Sequence, residues 1–594
     1  MIDRFKEQFR QSQISLLRML DRAQAPEELY MMFLAAIVGV LTGLGAYALN
    51  LIVDGVHDLL YTQVGQNLFP VENFDWLRIL FPAAGGLFVG LMTYYLSPDV
   101  KGHGIPDVIE AIATRGGMIR KRVSILTSIN SGATIGSGGS AGKEGPIVQI
   151  GAALGSIIGQ LFHVSQRRLK ILVGCGSAAG LAAVFNAPVA GVVFAIEIIL
   201  ADFRLAVFTP IVISSVIATA IARDLVGSSP LFQVPAYAIH SPWEFMLYIL
   251  MGIFGGMVAV FFTKSLYGVE DFFHNKIKAP AWVKPAIGGL ITGLIAFKLP
   301  ELYGFDDSAT YTALVGRTEI YLFALLVFAK IMATSFTLGS GGTGGLFTPS
   351  LFIGAMFGAL FGSIAQQFFP GIAPPGAYAL VGMGVIVAAT IHAPLSAFLI
   401  IFEITSNYHI ILPLMLATVT ATVVARWLLK ESIYTMKIAH LSKMIEGGHN
   451  LEMIEDTSIN GLINKKAVCF RELTSFHEIV DTVMSVNTNG FPVVDSKKKL
   501  LGIITLRDLR PVLFDQDVAP LLTASDVMSP NIFVLEKNET MAEALRKMDI
   551  DDDEVLPVVD TRDNMKLLGT VSRADILLRY TKEKFLVKEE AANA

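Results

Sequence analysis

Apolar residues run along most of the chain in long stretches broken by glycine and proline, and this pattern sets the expected elements. Residues 1–25 alternate charge with Phe5, Phe9, Ile14, Leu16, Leu17 and Leu20, which predicts an amphipathic helix ended by Pro26. A long apolar run follows at 27–60 and another at 79–96, with Asp54, Asp58, Glu72 and Asp75 gathered between them. Many later apolar segments are short or interrupted, so the pattern predicts about 10–18 membrane helices, several only partly spanning. From about residue 440 the composition becomes more charged and less apolar. The expected divisions are a cytoplasmic helix at 1–26, a membrane domain at 27–440 and a soluble appendage at 441–594.

Composition sharpens this picture. The 594 residues are 53% hydrophobic with a mean hydropathy of +0.57, which excludes an ordinary soluble enzyme and fits a multi-pass membrane protein. The net charge of −5 argues against nucleic acid as a partner. Cys175 and Cys469 are too few for a disulfide framework or a zinc site. The first stretch is charged throughout and predicts no cleavable signal peptide. Lysine and arginine cluster at 115–122, 167–170, 276–284 and near 430, whereas the loops at 61–76, 227–243 and 369–376 contain none. The positive-inside rule places the first set, and both termini with it, in the cytoplasm, in what reads as a bacterial plasma membrane.

One phrase occurs twice. The run Gly-Ser-Gly-Gly-Ser-Ala-Gly-Lys-Glu-Gly-Pro at 136–146 returns as Gly-Ser-Gly-Gly-Thr-Gly-Gly-Leu-Phe-Thr-Pro at 339–349, a constant offset of 203 that also relates Gly151, Gly155 and Gly159 to Gly354, Gly358 and Gly362. A second pair, 185–198 and 391–404, follows in the same order and carries Glu197 and Glu403. Paired, interrupted hydrophobic segments in two halves point to a transporter's binding site. Gly-x-x-x-Gly spacing by itself explains close helix contact, but not the polar, proline-closed run before it. Pro146 suits the first turn of a helix, and a helix N-terminus favours an anion. The carboxylate Glu144 stands in that path, and Phe347 takes its place in the second half. A third run, Gly-His-Gly-Ile-Pro at 102–106, opens a further helix that either faces the same anion or simply caps a loop.

The tail repeats a smaller unit. A Pro-Val-Val-Asp strand leads to Leu501–Asp508 in the first copy and to Leu568–Asp575 in the second, each closing on a helix capped by Thr505 or Ser572 and preceded by an amphipathic helix at 476–486 or 540–549. The two units span about 453–515 and 525–580 and should fold as one pair.

Other chemistries fail on the residues. A phosphate loop ending at Gly142-Lys143 would need glycine at 137 and Ser or Thr after the lysine, where Ser137 and Glu144 stand. Neither a nucleophile–base pair nor a metal-ligand cluster emerges, so an enzyme is not expected. Glu197 and Glu403 lie in apolar segments, as backbone-bonded carboxylates or as proton relays. A cation carrier regulated by its tail would need acidic residues lining the path, and the duplicated helix starts favour an anion instead.

With these residues together, the membrane domain resembles the CLC family of chloride channels and proton-coupled chloride antiporters over roughly 27–440, and the tail resembles a pair of CBS domains. The family's three motifs appear at 102–106, 142–146 (Gly142, Lys143, Glu144, Gly145, Pro146) and 345–349. The resemblance implies an all-α membrane domain with an inverted internal repeat, an α/β CBS pair, and a homodimer with one pathway per subunit. It implies chloride on the amides around His103, Gly104, Ile105, Leu346 and Phe347, Glu144 as the gate, and Tyr434 as the central tyrosine. Asp508 and Asp575 would hold the ribose of an adenine nucleotide, or merely cap helices in a dimer clamp. No other cofactor and no metal is implied. Two departures stand out: His103 replaces the motif serine, and Ile198 occupies the internal proton-accepting glutamate position, next to Glu197. Isoleucine carries no proton, which favours passive conduction over chloride/proton antiport.

Overall fold

The computed structural model describes residues 27–64, 76–96, 104–162, 164–227, 232, 234, 235, 237, 241–302, 308–315, 320–437, 457–486, 488, 490–509, 521–530, 533–551, 554–561, 564–576 and 579. The amphipathic segment expected at 1–26 and His103 lie outside these residues. The chain divides into two compact units, 1–438 and 439–594.

In the first unit, α1 (Glu27–His57), α2 (Leu77–Leu96), α3 (Ile105–Thr114), α4 (Arg122–Gly136), α5 (Glu144–Leu161), α6 (Gln166–Phe185), α7 (Pro188–Phe194) and α8 (Leu205–Val226) form one half. The second half repeats them in order as α9 (Glu244–Asn275), α10 (Lys284–Lys298), α11 (Ser308–Val315), α12 (Ile320–Gly339), α13 (Phe347–Phe368), α14 (Pro375–Ile391), α15 (Pro394–Thr405) and α16 (Ile411–Leu428). Among the described residues, eight helices are long and apolar enough to cross a membrane. Their outer faces are apolar: Leu205 is 79% and Trp427 83% exposed, as suits a lipid-facing surface. The helix starts follow the sequence logic closely. Pro106, Pro188, Pro375 and Pro394 each stand in the first two helical positions, where a missing N–H costs nothing.

A local two-fold relation joins the halves. Gly142 N donates to Gly345 O at 2.8 Å and Gly345 N to Gly142 O at 2.7 Å, so equivalent residues of the duplicated phrase pair with each other. Beside them Ser140 N donates to Thr337 Oγ1 at 3.1 Å, and its counterpart Thr343 N donates to Thr134 Oγ1 at 3.2 Å. Reciprocal bonds of this kind satisfy broken backbone that lipid could not. Lipid supplies no hydrophobic drive between helices, so close backbone approach does the work. At the α5–α6 crossing a Cβ on Gly151 or Gly176 would overlap the other's carbonyl, and Gly354 and Gly382 repeat the contact at α13–α14.

Among its described residues the second unit holds two three-stranded sheets, β1 (Phe470–Arg471), β2 (Gly490–Val494) and β3 (Leu500–Thr505), then β4 (Leu535–Glu536), β5 (Val555–Val559) and β6 (Leu567–Ser572). In each, the first pairing is parallel and the second antiparallel. The short first strands had no signal of their own in two residues. Helices α17 (Phe476–Ser485) and α20 (Met541–Asp551) precede the central strands, with the short α18 (Leu506–Leu509) and α19 (Ala524–Val527) between them. The copies join edge to edge, Leu500 N donating to Met565 O at 2.7 Å and Leu567 N to Lys498 O at 3.0 Å.

Candidate functional site

Three helix N-termini meet at the duplicated phrase. Helix α3 follows its N-cap Gly104, whose φ of +81° favours glycine, and a Cβ there would overlap the backbone of Gly145 in the first turn of α5. Helix α13 begins opposite, tied to α5 by the Gly142–Gly345 bridge. Ile105, Leu346 and Phe347 are each 1% exposed, and the Phe347 ring lies 5.1 Å from that of Phe185. The sequence expected the second helix to start at Pro146; it starts two residues earlier, which puts Glu144 itself in the first turn.

Glu144 is 3% exposed. Its carboxylate accepts from Thr348 N at 3.4 Å and from the Thr348 hydroxyl. A carboxylate therefore sits at the N-terminus of α13, where the first helical N–H groups are free of intrahelical partners. Gly142 and Gly345 leave room for it: a Cβ at 142 would collide with Glu144 Oε2, and one at 345 would come within 3.3 Å. Lys143 turns away to Asn50, its Nζ donating to Oδ1 at 3.1 Å, with Asp54 at 3.9 Å. Tyr434 is 1% exposed, and its hydroxyl has no hydrogen-bond partner among the described residues. Its segment is anchored by Ile433 N donating to Thr390 O at 3.0 Å and Tyr267 OH donating to Ile433 O at 2.7 Å.

Glu197 and Glu403 prove to be a reciprocal pair. Glu197 accepts from Leu395 N at 3.3 Å, Ser396 N at 2.7 Å and Ser396 Oγ at 2.6 Å, capping α15. Glu403 accepts from Val189 N at 3.1 Å and Ala190 N at 2.7 Å, capping α7. Each half's carboxylate satisfies the other half's helix start. Ile198 lies beside Glu197 in the π-helical turn Ala195–Leu200 that continues α7. Sequence reading missed Thr348, whose hydroxyl adds a donor beyond the helix amides; it is a single threonine inside a motif read for its glycine and phenylalanine.

In the tail, the two aspartates differ. Asp508 Oδ2 accepts from Thr505 N and Oγ1, both at 2.7 Å, and its Oδ1 accepts from Ser529 Oγ at 2.8 Å. Asp575 accepts from Ser572 Oγ at 2.6 Å, and Ser572 Oγ in turn accepts from Asp575 N at 3.1 Å.

The chain is similar to known proteins along both units. A family described as voltage gated chloride channel matches residues 85–426, and the CBS domain matches 459–515 and 524–582. A putative chloride channel protein ClcB-like from Ralstonia nicotianae is 37% identical over 369 residues, 61% of this chain and 86% of that protein. The H(+)/Cl(-) exchange transporter ClcA of Vibrio cholerae is 33% identical over 417 residues, 68% of this chain and 88% of that one. Among solved structures, a slow cyanobacterial Cl-/H+ antiporter aligns with a TM-score of 0.64 at 27% identity, covering 69% of this chain and 97% of its own. A eukaryotic CLC transporter at 21% identity shares the fold with a TM-score of 0.64 over 92% of this chain and 98% of its own.

Proposed function

The chain belongs to the voltage-gated chloride channel (CLC) family, and from that membership we propose that it carries chloride across a membrane along a path gated by Glu144. The observation that carries the reading is the Glu144 carboxylate seated at the N-terminus of α13 on Thr348. An ionised carboxylate there competes with chloride for the same amides; protonated, it is a weak competitor and leaves the seat. Gly104, Ile105, Leu346 and Phe347 would supply amides, and the unpartnered Tyr434 hydroxyl would donate to chloride at the other end. His103, in the place of the motif serine, would adjust that end. The working form is a homodimer with both termini cytoplasmic.

Proton-coupled exchange is the mode we favour, because relatives that cover the membrane unit are named exchangers. Passive conduction is the second reading, and a specific observation favours it: Ile198 carries no proton and Glu197 is committed to capping α15. Chloride efflux from proteoliposomes, recorded together with external pH under a chloride gradient, separates them. Protons driven uphill by chloride are expected for exchange, with a route that bypasses Ile198. Chloride flux with no linked proton movement would leave a channel with Glu144 as gate alone.

The CBS pair is proposed to bind an adenine nucleotide through its second aspartate. Asp508 has both carboxylate oxygens engaged by Thr505 and Ser529, whereas the bonds of Asp575 involve Ser572 alone among the described residues. ATP, ADP or AMP at about 100 times its dissociation constant should add about 2.7 kcal/mol to the stability of the tail. Asp575→Asn should abolish that gain in a thermal-shift measurement. No stabilisation of the wild type by any of the three would leave the pair as a clamp.

A further inference from the structure

Near the end of the first unit a cation is committed to the helix that faces the anion. Lys437 Nζ donates to Asp107 Oδ1 at 2.7 Å, with side-chain exposures of 27% and 19%. Lys437 lies three residues after Tyr434, and Asp107 stands in the first turn of α3, three residues after Gly104. Those three residues are about 4.5 Å along a helix axis. The other Asp107 oxygen accepts from Gln149 Nε2 at 3.3 Å, and Gln149 Oε1 accepts from Thr127 Oγ1 at 3.0 Å. Gln149 belongs to α5 and Thr127 to α4, so the pair is embedded in a network that spans the helices around the path. Two more carboxylates act on Lys437: Glu110, which pairs with Arg115 at 3.2 Å, and Glu270.

A carboxylate in the first turn of a helix draws on the same partial positive charge that holds an anion at its N-terminus. Asp107 and chloride therefore compete for α3, and at so short a range an unneutralised Asp107 would repel the ion. We propose that Lys437 is a positioning residue for chloride: by neutralising Asp107 it sets the affinity of the Tyr434 end of the path. The proposal rests on the reading that the α3 N-terminus faces chloride. An ordinary salt bridge would hold the segment after Tyr434 in place and leave affinity alone.

Calorimetric chloride titration of the full chain in detergent tests this, with thermal unfolding recorded on the same samples. Lys437→Met should weaken chloride binding about tenfold, the scale of one unit charge several ångströms away in a medium of intermediate dielectric. Asp107→Asn should bind chloride more tightly than wild type. The double variant should return to within about threefold of wild type, since the two changes share one interaction. Lys437→Arg should preserve affinity. Unchanged affinity in Lys437→Met, or a loss that the double variant fails to recover, overturns the proposal. Should Lys437→Met not fold, Asp107→Asn decides alone, and affinity no tighter than wild type overturns it. Glu144→Gln run in parallel separates the levels. If it alters chloride binding while the Lys437 series does not, only the role of Lys437 falls. If nothing in either series alters binding, the underlying anion path falls.

Discussion

In a Glu144→Gln variant, chloride flux will no longer depend on pH and will exceed the wild-type flux at neutral pH by about tenfold or more. The sign follows from charge. In the wild type the Glu144 carboxylate sits at the N-terminus of α13, held by Thr348, and is 3% exposed. Acid converts it to a neutral group with little pull on the helix dipole, so flux rises as pH falls, by up to about tenfold per pH unit while protonation is limiting. Glutamine has the same shape and no charge at any pH. It resembles the protonated carboxyl permanently, so both the pH dependence and any proton movement should vanish together. Flux from proteoliposomes across a pH series measures this directly. A variant whose flux still climbs with acid would move the pH sensor elsewhere and remove Glu144 from the gate.

Replacing Gly104 by alanine should damage the membrane unit in two ways at once, through backbone strain and through overlap with α5. The residue has a φ of +81°, which costs an L-residue about 1–2 kcal/mol. The new Cβ would also stand 2.6 Å from the carbonyl carbon of Gly145, a backbone atom that cannot rotate away. The start of α3 must then shift from the start of α5, and with it the amides proposed to hold chloride. Flux should fall more than tenfold, with a stability loss of about 1–3 kcal/mol. Gly268→Ala is the control: that glycine lies in α9 with nothing within 4 Å of its Cβ position, so alanine should be neutral or stabilising by up to about 1 kcal/mol. Equal behaviour of the two variants in flux and thermal unfolding would show that the Gly104–Gly145 approach is dispensable.

Much of this architecture was legible because it is local. Apolar run length, proline in first turns and the 203-residue offset reveal the helices and their duplication, since each depends on neighbours in sequence. The same holds for the tail, where strand, turn and capped helix are written twice. Glu144 stood out as a charge in an apolar setting. Its partner did not: Thr348 becomes informative only once α13 faces α5.

The membrane class, the two repeated halves, the CBS pair and the proline-opened helices of the duplicated phrase can all be read from the chain alone. Packing sets which of them meet. It paired Gly142 with Gly345, crossed Glu197 and Glu403 onto each other's helix starts, and brought Lys437 to Asp107. It also separated Asp508, fully engaged, from Asp575. The physical reason is range. Helix formation and turn chemistry act over a few residues and leave marks at fixed spacing. A hydrogen bond between elements hundreds of residues apart depends on ångström-scale placement, which here is set by glycine backbones in contact and by broken helix ends that must find partners inside the protein.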